Sequence, residues 1–182
     1  MKNIILLLVS VSLMTSCIET TTNNNTTTSN KIIEKESIIG YDVSDEGEKR
    51  DLKGGSIENI AIWENYIKAH NERDMEVIRN LDSDTFKARG PQGQFIEGVD
   101  THVEFLTQWF EQNSPKWEIK YAIANDVKTK DGELRQWVTA GHDMTLTVDG
   151  NQVNLYQVID ALISDGKIQE FYVHERVKGE NE

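Results

Sequence analysis

The chain has 182 residues, 31 Asp and Glu against 19 Lys and Arg, a formal net charge of -12, one Cys and two Pro. The length suits one domain with a tail. The acid excess argues against a nucleic-acid binder, which needs a basic stripe to displace counterions from phosphate. One Cys excludes an intramolecular disulfide framework and any multi-Cys zinc or iron–sulfur site.

The first element is a leader. Lys2 is a short positive region, residues 4–11 are apolar, and Leu13 and Met14 extend the run. That is short of the roughly 20 apolar residues a membrane span needs, so residues 1–16 read as a secretory signal peptide. Thr15 and Ser16 then precede Cys17, the chain's single cysteine. This order resembles the bacterial lipoprotein signal, with Met14 in place of the more usual Leu three positions before the Cys. The resemblance implies cleavage before Cys17, acylation of Cys17, and a protein held to a lipid bilayer of the bacterial cell envelope, facing away from the cytoplasm. Several acyl chains anchor stably because each buried methylene contributes about 0.8 kcal/mol.

Residues 17–55 read as a flexible tether. Residues 20–29 are Thr and Asn with one Ser, and cannot bury enough surface to offset their ordering entropy. Mixed charges and Gly54-Gly55 follow; the patch Ile38-Ile39-Gly40-Tyr41 is a possible stray strand. The leader and tether leave a charge of -10 on residues 56–182, so the acidity belongs to the folded part and keeps it off anionic lipid surfaces.

Ser56 is a good N-cap for a helix over 57–71, where Ile57, Ile60, Trp63 and Ile67 recur at helical spacing beside Tyr66. His70 falls in the apolar arc as a helix-end packing residue. A short helix covers 74–81. Residues 84–97 carry turn chemistry at Gly90-Pro91 and Gly93 between short extended pieces. A third helix spans 99–113, with Val99, Val103, Leu106 and Phe110 on one face, and Asn113, Ser114 and Pro115 end it. His102 and His174 read as surface residues.

After Pro115 the period changes to two. Strands are expected at 117–128, 134–148, 152–164 and 167–177, joined at Asp131-Gly132, Asp149-Gly150 and Asp165-Gly166. Asp-Gly between extended runs is a strong hairpin signal because positive φ is tolerated there. The result is an antiparallel meander of four long strands, and helices followed by a meander make an α+β arrangement. Strands this long imply a strongly curved sheet wrapped around the helices.

The stretch from Ile60 to Val177 resembles the nuclear-transport-factor-2-like superfamily in its SnoaL-like branch. The matching residues are Trp63, Tyr66, Ala69-His70-Asn71 and Asp74 in the opening, Gly98, Phe105 and Trp109 in the third helix, and Asp165-Gly166-Lys167-Ile168 in the closing hairpin. The resemblance covers essentially the whole domain, 56–178, ahead of a tail at 179–182. It implies a cone: a curved antiparallel sheet of four long meander strands, plus short N-terminal strands, wrapped around three helices that enclose a pocket. Relatives include isomerases, dehydratases, epoxide hydrolases and non-catalytic binding domains, so the fold alone does not choose a function.

Strand alternation assigns the faces. A two-residue Asp149-Gly150 loop sets His142 opposite Gln157 on the inner face, with Ile159. Phe171 and Val173 join them if Ser164-Asp165-Gly166 forms a three-residue loop. Trp63 and Tyr66 add walls from the first helix, and Glu175 comes in near the open end. The candidate pocket is therefore Trp63, Tyr66, His142, Gln157, Ile159, Phe171 and Val173. SnoaL-like enzymes commonly carry a carboxylate eight residues before the closing Lys, and Ile159 stands there instead. Asp160 is on the opposite face in this register; a bulge would be needed to turn it inward, where Asp160, His142 and Tyr66 would be the catalytic groups. The outer face (Trp137, Thr139, Tyr156, Val158, Asp160, Leu162, Ile168, Tyr172) is apolar enough to suggest a homodimer.

No metal-ligand spacing, phosphate-binding glycine loop or nucleophile elbow occurs in the sequence, so no metal or cofactor is expected. Three readings follow: a non-catalytic domain binding a small apolar ligand or acting as an accessory; a cofactor-independent isomerase, dehydratase or hydrolase using the same pocket; and a structural or protein-interaction module.

Overall fold

The computed structural model describes residues 37–179 and Glu182; the leader and Cys17 lie outside them. In chain order the elements are β1 (Ile38–Val43), β2 (Lys49–Gly54), α1 (Ile57–Glu72), α2 (Met75–Leu81), β3 (Asp82–Arg89), β4 (Phe95–Glu97), α3 (Val99–Asn113), β5 (Lys116–Lys128), β6 (Leu134–Val148), β7 (Asn151–Ser164) and β8 (Lys167–Val177). The eight strands form one sheet in the order β1-β2-β5-β6-β7-β8-β3-β4. Neighbours are antiparallel except β3 and β8, which run parallel. The chain is thus the expected α+β arrangement, a curved, unclosed sheet with three helices.

Local chemistry sets the element ends. Ser56 caps α1, its hydroxyl accepting from the Glu58 N–H, and the Asp74 carboxylate accepts from the Val77 N–H at the start of α2. Arg73 ends α1 in the left-handed region, where its guanidinium donates to the carbonyls of His70 and Pro115. The Asp149-Gly150 and Asp165-Gly166 turns have positive φ at both positions, the geometry that matches strand twist. The Asp131-Gly132 connection is longer: Thr129 and Glu133 close it, and only Gly132 has positive φ.

Three expectations are corrected. Residues 38–54 are not part of a tether: β1 and β2 form a hairpin there, and β2 pairs with β5, extending the sheet. The loop after β7 has two residues, with Ser164 opposite Lys167, not three. The inner parity of β8 comes instead from a bulge at Gln169, because Ile163 faces Ile168 while Leu162 faces Glu170. The two-residue loop sets Ile168 opposite the inner-facing Ile163, so Ile168 is fully buried in the core and not on the outer face. The other residues expected on the outer face (Trp137, Thr139, Tyr156, Val158, Asp160, Leu162 and Tyr172) are half-buried.

The core lies between the concave sheet and α1 and α3. Trp63, Tyr66 and Ile67 from α1 and Leu106 and Phe110 from α3 pack on Val138, Ala140, Met144, Ile159 and Ala161. Each large apolar side chain buried this way contributes roughly 1.5–3 kcal/mol. Ile57, at the first turn of α1, is exposed and takes no part.

Candidate functional site

The helices do not fill the concave face. A cavity of about 460 Å³ remains between α1, α3, the β3–β4 turn and the inner faces of β6, β7 and β8. Its walls are mostly apolar, including Leu106, Leu146, Leu155, Ile159 and Val173, with Trp63, Trp109 and Trp117 as rings. Pro91, Gln92, Phe105, Val148 and Val177 line it while exposed to solvent, so they form its rim.

Two histidines reach this cavity, from α1 and α3. His102 is 1% exposed, and its Nδ1–H donates to Asp82 Oδ2 at 2.8 Å. Asp82 is wholly buried at the start of β3, and its Oδ1 accepts from the Tyr66 hydroxyl at 2.7 Å. The carboxylate therefore has a donor on each oxygen. Phe86 stacks on the His102 ring, centroids 4.5 Å apart, fixing its plane. Burial, then the charge of Asp82 and the hydrogen bond to it, push the Tyr66 hydroxyl well above its ordinary range, so it stays a donor.

His70 sits about one ring away, centroids 6.0 Å from His102. Its Nδ1–H donates to the Tyr66 carbonyl at 2.8 Å. Burial, followed by repulsion from His102, lowers its pKa to about 3, so it stays neutral. Neither His70 nor His102 has a hydrogen-bond partner at Nε2 among the described residues. With Nδ1 protonated, each Nε2 is a bare acceptor.

On the opposite wall Gln157 is held from both sides. Its Oε1 accepts from Trp117 Nε1–H at 2.9 Å and its amide donates to Glu175 at 2.7 Å.

Solved structures share this fold. An LEH-like epoxide hydrolase from M. tuberculosis matches with a TM-score of 0.56 at 16% identity, over 66% of this chain and 84% of that one. A protein proposed to be a SnoaL-like polyketide cyclase, from Jannaschia sp. CCS1, matches with a TM-score of 0.53 at 17% identity, over 65% and 85%. The epoxide hydrolase/cyclase-like enzyme SalBIII, of pyran ring formation in salinomycin, matches with a TM-score of 0.53 at 16% identity, over 65% and 91%. The fold is the cone of these structures, among them a SnoaL-like and an NTF2-like protein. No protein-family model and no curated protein matches the chain.

Within this cone the residues expected in the pocket divide. Trp63, Tyr66, Gln157, Ile159, Phe171 and Val173 line the cavity, with Glu175 near its rim. His142 pairs with Gln157 in register as expected, but does not reach the cavity. Trp63 lies over it and donates Nε1–H to His142 Nε2 at 3.1 Å. His142 Nδ1 is buried without a partner, and burial, offset a little by the Gln157 backbone, lowers the ring's pKa to about 4. His142 is a core residue behind a cavity wall. Asp160 stays on the outer face, accepting from the Thr139 hydroxyl at 2.6 Å. The nearby bulge acts on β8 and does not turn Asp160 inward, so the carboxylate has no access to the cavity.

His102 and Asp82 are the site residues that the sequence reading missed. His102 had a signal: positions 102, 106 and 110 share one helix face with the buried Leu106 and Phe110. Asp82 had none, since its partners come from distant segments. Among the described residues no cluster of three or more His, Cys, Asp or Glu could hold a metal ion.

Proposed function

We propose that this domain binds a small, largely apolar molecule inside the cone, and that acylated Cys17 holds it on a membrane of the bacterial cell envelope. One observation carries the first part: a mostly apolar cavity of about 460 Å³ with polar groups at the His70–His102 floor, on the Gln157–Glu175 wall and at the Gln92, Gln94 and Asn113 rim. That volume falls in the range of sites that enclose small ligands, and convergent polar groups on apolar walls orient such ligands. The named chemistry of the structural neighbours, epoxide opening and cyclisation, also concerns small organic molecules. An open cavity favours binding over a purely structural module. The anchoring part rests on the order of the leader, small residues and Cys17.

Three of the four tryptophans line the cavity, so intrinsic fluorescence reports occupancy. Titration with 2-naphthol should quench it with micromolar to submillimolar affinity. Leu146→Trp, which fills the cavity from its wall, should weaken binding at least tenfold. Equal quenching of both proteins, or none of either, would overturn the proposal.

A further inference from the structure

We infer that His102 is a general base, oriented by Asp82 and Tyr66, for a small uncharged substrate that carries an acidic C–H bond. This rests on the cone being a small-molecule site and adds a reaction to it. His102 lines the cavity with Nε2 unpartnered among the described residues, while Nδ1–H is committed to Asp82 at 2.8 Å. That bond fixes the tautomer that leaves a lone pair on Nε2. When Nε2 takes a proton, the imidazolium forms against a carboxylate already in place, and no solvent need reorganise. Tyr66 holds the far oxygen of Asp82, and Phe86 holds the ring plane. Asp82 and Tyr66 are positioning residues; neither lies between His102 and a ligand.

The substrate class follows from the walls. An apolar cavity whose one carboxylate, Glu175 near the rim, is already engaged by Gln157 disfavours an ionic substrate, because no free fixed countercharge beside His102 would replace lost hydration. A neutral molecule with a C–H bond beside an electron-withdrawing group fits. His102 Nε2 takes the proton and the C–H electron pair moves into the substrate. The same Nε2–H then returns the proton to another atom, so an isomerisation balances without a co-reactant. His70 presents a second Nε2 nearby, but its Nδ1–H faces a backbone carbonyl and not a carboxylate, and burial lowers its pKa to about 3.

The probe is 5-nitrobenzisoxazole, a small aromatic carbon acid. Its C–H proton goes to Nε2, the electron pair forms a nitrile, the N–O bond breaks and a coloured phenolate leaves. Wild type should accelerate this over buffer. His102→Gln should lower kcat about 10²- to 10⁴-fold, the usual share of a general base. Asp82→Asn should lower kcat with KM nearly unchanged, because an amide N–H facing Nδ1 would force the proton onto Nε2. His174→Gln, exposed and outside the cavity, should match wild type. Nitrogen-15 NMR gives a readout without turnover: His102 Nε2 should be unprotonated in wild type and protonated in Asp82→Asn. Tryptophan quenching by 6-nitrobenzotriazole, an unreactive analogue, measures binding separately. Binding without turnover, or loss in His70→Gln and not in His102→Gln, overturns the assignment and leaves the binding site standing. Absence of binding refutes the site itself; a protonated wild-type Nε2 then also overturns the base.

Discussion

Acid should weaken this fold above the pH at which carboxylates titrate, because two buried imidazoles are neutral in the native state. His70 and His142 have pKa values lowered to about 3 and about 4 from an ordinary 6.5, with burial the first cause for both. In the unfolded chain both rings titrate near 6.5. Between pH 6.5 and the native values, the unfolded state binds more protons, so stability falls as pH falls. At pH 5 each ring has lost about 1.5 pH units of linkage, roughly 2 kcal/mol, and the pair about 4 kcal/mol. The depressed carboxylates, Asp143 beside Lys178 and Glu182 beside Arg176, contribute stability that is lost only further down. Urea unfolding followed by tryptophan fluorescence at pH 7.5 and pH 5 measures the difference. With a urea m-value of about 2 kcal/mol/M, the midpoint should drop by about 2 M. His142→Gln, which can still accept from Trp63, should lose about half of that dependence. Equal midpoints for wild type at the two pH values would refute the reasoning, since they would require both rings to be protonated in the fold.

Other perturbations test separate contacts. Gly141→Ala should lower stability by about 1–3 kcal/mol in thermal or urea unfolding, because a Cβ there would stand 2.2 Å from Tyr121 Cε1 and 2.7 Å from the Tyr156 hydroxyl. Tyr66→Phe should cost about 1–3 kcal/mol by leaving one oxygen of the buried Asp82 without its donor, readable by the same melts. Trp117→Phe removes the donor to Gln157. It should destabilise by about 1 kcal/mol and should loosen the Gln157 side chain, visible as exchange broadening of its amide signals. Cys17→Ser should move the protein from the membrane to the soluble fraction and abolish palmitate labelling in bacteria; retention with no label in wild type would refute the anchor.

The elements were legible where local chemistry decides them. The Asp149-Gly150 turn alone fixes the β6–β7 register, and His142 does face Gln157. The inner face of β8 was legible for a different reason from the true one, since the shift lies in a bulge at Gln169 that no residue type announces. The β1–β2 hairpin escaped because it is an edge, with Ile38, Ile39, Tyr41 and Val43 exposed, so burial imposes little pattern on it. In the site, the pocket walls followed from strand alternation, but the depth of each residue did not. His142 is on the inner face, yet the larger Trp63 covers it. His102 is polar on a helix face that its spacing marks as buried; its satisfaction depends on Asp82, which arrives through tertiary pairing.

That pairing bears on how the protein matures. Asp82 opens β3 and lies beside Ile168 of β8, and Lys167 Nζ donates to the Asp82 carbonyl across 85 positions of sequence. Contacts of such separation form late, after loop-closure entropy has been overcome. A chain still emerging from the ribosome can build α1, α2 and α3 and bring Tyr66 and His102 to the Asp82 carboxylate, but cannot pin the β3 backbone beneath them until the last strand has docked. The backbone under the cavity floor is therefore locked last, and loss of the final hairpin would loosen the site before it unravels the helices.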